Sequence, residues 1–272
     1  MNRHTTCPHD GAAPAGPPRA DDRPGADAVH PGPGSALTAD VTSRDGQALR
    51  HVAVIMDGNR RWAVRHSRTE TDAYQTGALR VHDLMTWCEE AGIAFVTVWA
   101  LSQDNLHRGT AAVDGIVQAV RDGVREMAAT RRWCIRFIGA LDQLPPQQAT
   151  ALRALAHQTR DIRGVTLNVA LAYCGRSDIV DAVRALVEQK TGPACDGAVT
   201  EDRLTQHLST AGQPDIDLVI RTSGEQRLSG FMPWQTAEAE LYFTSTPWPD
   251  FDRADFEKAL QWYADRDLRF GR

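Results

Sequence analysis

The feature that most constrains the fold is the alternation, from residue 51 onward, of short apolar runs with stretches that have helical spacing. The apolar runs are HVAVIM (51–56), IAFVTVWAL (93–101), CIRFIGA (134–140), VTLNVALAY (165–173) and DLVI (217–220). The helical stretches lie at about 75–91, 111–130, 146–160, 176–190, 200–209 and 252–267. Runs that are apolar on both faces and separated by helices are typical of a parallel sheet covered on both sides. The sequence therefore predicts an α/β fold with a mainly parallel sheet.

The first 48 residues differ in composition from the rest of the chain. They hold half of the 14 prolines, together with many Gly, Ala and Asp, and they show no hydrophobic period. Such a segment cannot bury enough apolar surface to offset the entropy cost of ordering it. We therefore expect residues 1–48 to be a disordered tail and residues 49–272 to be a single folded domain.

Composition argues against several classes of function. A net charge of -5 at pH 7 disfavours a nucleic-acid-binding protein, because such proteins gather Lys and Arg on one face. The five cysteines are odd in number and show no C-x-x-C spacing, so neither a disulfide framework nor a zinc site is predicted. No apolar run approaches the roughly 18 residues of a membrane span. We expect a cytoplasmic protein without a transmembrane segment.

Polar residues follow each apolar run, at the point where each predicted strand ends. The segments are Asp57–Arg61, Ser102–Asn105 with Arg108, Gly139, Cys174–Arg176 and Arg221–Arg227. Because ligands of parallel sheets bind beyond the carboxyl ends of the strands, these residues are expected to meet at one edge. Four of the five segments bring an arginine there. Planar guanidinium groups pair bidentately with phosphate oxygens, so the pattern favours a phosphate or diphosphate ligand.

Two carboxylates refine the expected ligand. Asp57 lies among arginines, and Glu240 lies in the apolar-rich segment AEAELYF. A carboxylate beside a phosphate repels it unless a cation lies between them, and Mg²⁺ is bound by carboxylates together with substrate phosphates. The alternatives are that Asp57 caps a helix or pairs with Arg60 or Arg61, and that Glu240 is a partner for a nearby arginine. The chain has neither a P-loop nor a G-x-G-x-x-G signature.

Several longer motifs together resemble the cis-prenyltransferases, the undecaprenyl diphosphate synthase family. The motifs are HVAVIMDGNRRWA, LSQDNLHR, LNVALAYCGRSDIVDAVRAL, DLVIRTSGEQRLSGFMPWQTAEAELYFTSTPWPDF and RDLRFGR, in the family's order over residues 51–272. The resemblance implies a central six-stranded parallel sheet, flanked by helices that surround a hydrophobic tunnel. Helix 111–130, with Ile116, Val120 and Val124 at helical spacing, is a candidate wall of that tunnel, although ordinary core packing explains the same spacing.

The resemblance also implies a role for each site residue. Asp57 would bind Mg²⁺ and assist departure of the allylic diphosphate, and Asn105 would join it as a catalytic residue. Glu240 would be the second metal carboxylate. The residues implied for substrate binding are Gly58, Asn59, Arg60, Arg61, Trp62, Ser102, Arg108, Arg221, Arg227 and Ser229. Of these, Arg221, Arg227 and Ser229 match the site for the second diphosphate. Arg269 and Gly271 resemble a tail that reaches into the neighbouring site of a homodimer.

The implied activity is condensation of an allylic diphosphate with isopentenyl diphosphate to give a short-chain Z-prenyl diphosphate. Leu106, Gln226 and Ser223 are similar to actinobacterial short-chain enzymes of the family. Glu70 and Ala112 depart from the family, which usually has an arginine and a glutamate at these places. They favour an alternative, head-to-middle coupling of two allylic diphosphates to a lavandulyl-type product. Two further alternatives are a catalytically silent partner subunit and a protein that binds another phosphorylated metabolite without chemistry.

Overall fold

A computed structural model describes residues 41–43, 46–107, 109–188 and 199–266. Within these ranges the chain forms six strands: β1 (His51–Ile55), β2 (Phe95–Ser102), β3 (Cys134–Ile138), β4 (Thr166–Tyr173), β5 (Leu218–Arg221) and β6 (Glu240–Phe243). The α-helices in the same ranges are α1 (Asn59–Arg65), α2 (Glu70–Glu90), α3 (Thr110–Thr130), α4 (Pro146–Thr159), α5 (Gly175–Glu188), α6 (Glu201–Thr205) and α7 (Arg253–Ala264). None of these described helices combines the length and the apolar character that a bilayer span requires.

The six strands form one sheet in the order β3-β4-β2-β1-β5-β6, and every pairing is parallel. The strand β1 lies inside the sheet, where Val52 to Ile55 pair with β2 on one side and with β5 on the other. All five of its residues are buried, which explains its nearly uninterrupted apolar sequence. The predicted fold class, an α/β domain with a parallel six-stranded sheet, is confirmed.

Alternate residues of β1 belong to two different cores. Val52 and Val54 pack with α2, α3 and α7 on one face of the sheet. Ala53 and Ile55 pack on the other face with a cluster that contains Phe231. Because side chains of a strand alternate between the faces, one short sequence anchors both layers. This fixes the position of the residues that follow β1.

The structure differs from the sequence prediction at three elements. The structure contains the strand β6 and the helix α1, which the sequence patterns did not predict. The helix α6 is shorter than the predicted helical stretch 200–209. The strand β6 has four half-buried residues at the edge of the sheet, which is too short for a clear alternation. The helix α1 has seven residues with only Ala63 buried, so it has no apolar stripe.

Packing of the folded part begins ahead of the predicted boundary at residue 49. Val41 is 8% exposed and belongs to the main core, and Leu49 is 3% exposed. An antiparallel bridge joins Thr42 to Ala48, and the Leu49 amide donates to the Val41 carbonyl. The domain therefore extends at least to Val41, because a proline-poor segment with two apolar anchors folds back onto the sheet.

Candidate active site

A cavity of about 1470 Å³ opens at the carboxyl ends of the strands. Its polar part is lined by Asp57, Gly58, Asn59, Arg60, Arg61, Ser102, Asn105, Arg176, Arg221, Glu225, Arg227 and Ser229. Its apolar part is lined by Ala78, Val81, Val98, Ala119, Val120, Val124 and Met127 of α2, β2 and α3. One space thus combines a guanidinium-rich mouth with an apolar interior. This arrangement suits a ligand with a charged head and a hydrocarbon chain.

The backbone at Asp57 is fixed by the loop that follows β5. The Asp57 amide donates to Thr222 Oγ1 at 2.9 Å, and the Thr222 hydroxyl lies 2.8 Å from the Asp57 carbonyl oxygen. The Gly58 amide donates to Asp57 Oδ1 at 2.7 Å. These bonds hold the carboxylate of Asp57 at the end of β1 before any ligand is present.

Two arginines neutralise the Asp57 carboxylate. Arg221 donates to Oδ2 at 3.0 Å, and Arg61 donates to Oδ1 at 3.3 Å. The Arg221 side chain is only 6% exposed, and it also donates to Ser229 Oγ at 3.0 Å and to the Arg227 carbonyl. A buried guanidinium needs such partners because its charge is costly to remove from water. Arg221 therefore joins the loops after β1 and β5 into one unit.

A second carboxylate, Glu225, joins the more exposed arginines. Arg227 donates to it at 2.6 Å, and Arg61 lies 3.7 Å from it. Arg61 also donates to the Ser223 carbonyl at 3.2 Å. The mouth is therefore held by alternating positive and negative groups, and a diphosphate could replace carboxylates as the partner of these arginines.

Gly58 and Asn59 occupy positions that few other residues could fill. Gly58 has φ 101°, and a Cβ there would lie 2.6 Å from Ser223 Oγ. Asn59 donates from Nδ2 to the Met56 carbonyl at 3.1 Å, while its Oδ1 is buried with no protein partner. The absence of a side chain at Gly58 therefore lets the loop after β1 pack directly against Ser223, and the Asn59 Oδ1 atom has no partner in the described part of the chain.

Ser102 and Asn105 lie across the cavity mouth, at the end of β2. The Asn105 amide donates to Ser102 Oγ at 3.2 Å, which caps the short 3₁₀ turn Asp104–His107. Nearby, burial and the neighbouring Asp178 raise the pKa of Tyr173, so its phenol stays neutral. Arg108 lies outside the described residues.

Two predicted site residues are not brought to the cavity. Trp62 donates to Asp250 at 2.5 Å and is absent from the cavity lining. Glu240 pairs in register with Leu218, which is roughly 10 Å along the strand from Arg221 at about 3.3 Å per residue. It accepts from Arg266 at 2.8 Å, as the alternative of an arginine partner predicts. Asp57 and Glu240 of one chain therefore do not form a common metal site.

The individual roles of three residues around the cavity could not be assigned from the sequence. Thr222 fixes Asp57, Glu225 joins two arginines, and Arg176 lines the mouth from α5. The sequence places all three in strand-end segments, but only the folded chain shows which of them face the cavity. Arg269 and Gly271 lie outside the described residues.

Comparison with known proteins assigns the family. The sequence model of the undecaprenyl diphosphate synthase family matches residues 55–271. The chain belongs to this family. Isoprenyl transferase 1 of Streptomyces avermitilis is 43% identical over 230 residues, which cover 83% of this chain and 90% of that protein. The predicted family is confirmed, and with it the prenyltransferase class of enzyme.

Two further relatives of this undecaprenyl diphosphate synthase family member are informative. The (2Z,6E)-farnesyl diphosphate synthase of Mycolicibacterium smegmatis is 41% identical over 244 residues, covering 87% of this chain and 93% of that protein. A crystal structure of lavandulyl diphosphate synthase from Lavandula x intermedia, in complex with dimethylallyl diphosphate, matches with a TM-score of 0.76 and 34% identity. That match covers 82% of this chain and 98% of the other.

Of the residues expected from the sequence to depart from the family pattern, Glu70 lines the cavity and Ala112 does not. The Tyr74 hydroxyl donates to Glu70 at 2.9 Å, and both side chains line the mouth from the start of α2. Beneath them, the Tyr74 ring lies close to Gly115 of α3. Ala112 is partly exposed in the first turn of α3. A carboxylate and a phenol therefore lie together at the mouth of the cavity, beside α3.

The residues at the mouth fit a magnesium ion that is shared with a ligand. Asp57 presents a carboxylate that is 30% exposed, and it lines the same cavity as Asn59. In the described ranges no cluster of three His, Cys, Asp or Glu side chains could hold a metal alone. Mg²⁺ commonly has one or two protein carboxylates and takes its other ligands from phosphates and water. The donor set suits that mode of binding better than an all-protein cage.

Proposed function

We propose that this protein is a Mg²⁺-dependent prenyltransferase that condenses an allylic diphosphate with isopentenyl diphosphate. The product would be a short-chain Z-prenyl diphosphate, with release of diphosphate. The observation that carries the proposal is the continuity of a guanidinium-rich mouth with an apolar interior in one cavity. The similarity to a (2Z,6E)-farnesyl diphosphate synthase supports the same reaction.

The residues after β1 would hold the allylic diphosphate. Gly58 brings its backbone to the cavity, and Arg60 and Arg61 supply guanidinium donors there. Preset donors stabilise the negative charge that collects on the leaving diphosphate as the carbon–oxygen bond breaks. Asp57 would bind Mg²⁺, which when present neutralises further charge on that leaving group.

The residues after β5 would hold isopentenyl diphosphate. Arg221 fixes Ser229 and the Arg227 carbonyl in one turn, so that Arg227 and Ser229 face the same cavity. The double bond of isopentenyl diphosphate then supplies the electron pair for the new carbon–carbon bond. A neighbouring carbon loses a proton to form the new double bond, and the released diphosphate is the base that can take it. Ser102 and Asn105 would orient the reacting groups there.

The apolar interior would hold the hydrocarbon chain and exclude water. Val120, Val124 and Met127 of α3 face Val81 of α2 and Val98 of β2 across this space. Excluding water protects an electron-deficient allylic group from hydrolysis. We propose that this part of the cavity is the hydrophobic tunnel that the family resemblance implies.

A second candidate function is the head-to-middle coupling of two allylic diphosphates. The observation that favours it is the pairing of Glu70 with Tyr74 at the mouth, together with Ala112 on α3. The likeness to a lavandulyl diphosphate synthase structure is compatible with it. The first candidate is preferred because Ser102, Asn105, Arg227 and Ser229 all line the cavity.

The products formed with different substrate pairs test the proposal. Purified protein is incubated with Mg²⁺ and dimethylallyl, geranyl or farnesyl diphosphate, with and without isopentenyl diphosphate, and products are identified by mass spectrometry. We expect a Z-prenyl product only when isopentenyl diphosphate is present. A product formed from dimethylallyl diphosphate alone would support the second candidate and contradict the first. No product with any pair would contradict both, and would support a silent subunit or a binding protein.

We further propose that the enzyme acts as a homodimer in the cytoplasm. The proposal rests on Arg269 and Gly271, whose motif resembles a tail that completes the neighbouring site. Light scattering of the purified protein should give twice the mass of one chain. A chain that is monomeric and fully active would contradict this role of the tail.

A further inference from the structure

Arg176 lies in the family motif LNVALAYCGRSDIVDAVRAL and lines the cavity, but neither the site roles implied by the resemblance nor the proposed mechanism gives it a function. It lies in the first turn of α5, at the carboxyl end of β4, and its side chain lines the mouth beside Cys174. Its exposed side chain has no hydrogen bond or ion pair with any residue in the described part of the chain. An arginine with no structural partner at an anion site is available for a ligand.

Three other arginines of the mouth already form ion pairs with carboxylates. Arg221 and Arg61 share Asp57, and Arg61 and Arg227 share Glu225. A diphosphate that binds these three must compete with carboxylates that already accept their hydrogen bonds. Arg60 and Arg176 are the cavity-lining arginines in the described ranges that carry no such pair. They can bind phosphate oxygens without the cost of breaking an ion pair.

Packing places Arg176 on the side of the second substrate. A Cβ at Gly175 would overlap Pro233 and would lie 2.5 Å from the Gly230 carbonyl oxygen, so α5 begins in close contact with that turn. The same turn carries Arg227 and Ser229. Arg60 lies on the opposite side, in α1 after β1. Each of the two unpaired guanidiniums is thus next to a different predicted diphosphate position.

We propose that Arg176 is a further substrate-binding residue, which donates to the diphosphate of isopentenyl diphosphate. This proposal rests on the proposed function and assigns a new residue to its second substrate. The guanidinium would approach the phosphate oxygens from α5, while Arg227 and Ser229 approach them from the loop after β5. The close contact at Gly175 keeps these two groups of donors in a fixed relation.

The test compares Arg176→Gln with Arg176→Lys and with a control on the same helix. The control is Arg184→Gln, because Arg184 pairs with Asp181 and is absent from the cavity lining. Initial rates give the KM for each substrate separately, and calorimetry gives the binding of isopentenyl diphosphate alone to the Mg²⁺-loaded protein. Thermal melting checks that each variant is folded.

We expect Arg176→Gln to raise the KM for isopentenyl diphosphate and to weaken its binding by about tenfold to a hundredfold, as the loss of a charged hydrogen bond usually does. The KM for the allylic substrate should be unchanged, and Arg176→Lys should recover part of the loss. A wild-type KM and affinity in Arg176→Gln would overturn the proposal, as would an equal loss in Arg184→Gln. An effect confined to the allylic substrate would also overturn it. If the wild-type protein forms no product, the proposed function fails, while the calorimetric comparison still tests Arg176.

Discussion

At the scale of single residues, the mouth of the cavity depends on Asp57. Its carboxylate lies between Arg221 and Arg61, and its backbone is held by Thr222. Such a group has two opposite effects on a diphosphate. It repels the anion when no metal is present and attracts it through Mg²⁺ when the metal is bound. Substitution of Asp57 separates these effects.

The first prediction concerns Asp57→Asn, which keeps the size of the side chain and removes its charge. We expect turnover to fall by about a hundredfold or more, the typical effect of losing one preset electrostatic group. We also expect the variant to bind inorganic diphosphate no more tightly with Mg²⁺ than with EDTA, whereas Mg²⁺ should strengthen binding by the wild type. Asp83→Asn is the control, because Asp83 pairs with Arg80 outside the cavity. An unchanged rate and an unchanged response to Mg²⁺ would contradict the role of Asp57.

The second prediction concerns Gly58, where both conformation and space exclude a side chain. Gly58→Ala should lower the free energy of unfolding by more than the roughly 1–2 kcal/mol expected for a left-handed residue, because the new Cβ would also contact Ser223. Gly224→Ala is the matched control. Gly224 has φ +81°, and a Cβ added there would have no other atom within 4 Å, so its substitution has the conformational cost alone. Urea unfolding measures both values, and equal losses would show that the contact with Ser223 is unimportant.

At the scale of elements, the start of β1 depends on a buried histidine. His51 is fully buried, and its ring lies 2.9 Å from the Pro214 carbonyl and 2.8 Å from Thr97 Oγ1. Since a carbonyl only accepts, Nδ1 carries the proton and Nε2 accepts from Thr97. Burial lowers the pKa of His51, although the Pro214 carbonyl and Asp217 oppose that shift. The neutral ring is therefore part of the folded structure.

The third prediction follows from the direction of this shift. In the unfolded chain His51 takes up a proton below its ordinary pKa of 6.5, whereas in the folded chain it does so only at lower pH. The contribution of neutral His51 to the free energy of unfolding is therefore complete above pH 6.5. It decreases as the pH falls toward the pKa of His51 in the folded chain. The slope is at most about 1.4 kcal/mol per pH unit for one proton. His51→Gln should flatten this dependence in urea unfolding between about pH 7 and 5, and exposed His157→Gln should not. Equal slopes in all three proteins would contradict the prediction.

The elements that the sequence predicted best are those with many buried positions. The strand β4 has seven buried residues of eight, and α3 has an apolar stripe at helical spacing. The helix α1 and the strand β6 were missed because their positions depend on contacts with other elements. In α1, for example, Trp62 is held by Asp250, which is distant in the sequence. No local period can reveal such a contact.

At the scale of the whole molecule, the folded domain begins earlier in the chain than the composition predicts. The proline-rich composition predicted a tail up to residue 48, but Val41 and Leu49 are buried against the main core. Composition does not reveal a single buried residue such as Val41, because most of the residues around it in the sequence are polar. The antiparallel bridge between Thr42 and Ala48 shows how the segment returns to the sheet.

The fourth prediction compares two truncated proteins. A chain that begins at residue 41 should melt at the temperature of the full-length protein and keep its activity, because residues 1–40 have the composition of a disordered segment. A chain that begins at residue 50 should melt at a lower temperature, since it loses Val41 and Leu49, each worth about 1.5–3 kcal/mol when fully buried. Differential scanning calorimetry measures both. Equal melting of the two truncated chains would show that the segment 41–49 contributes nothing.

The sequence by itself determined the parallel sheet, the family and the group of arginines at one edge of the sheet. It could do so because buried strands need continuous apolar residues, and because the carboxyl ends of parallel strands meet at one edge. Only the tertiary structure decided which polar residues face the cavity. It separated Glu240 from Asp57 by strand register, turned Trp62 toward Asp250, and left Arg176 without a partner among the described residues at the mouth. The physical reason is that register, helix rotation and ion-pair competition depend on contacts between distant segments, which the order of residues does not display.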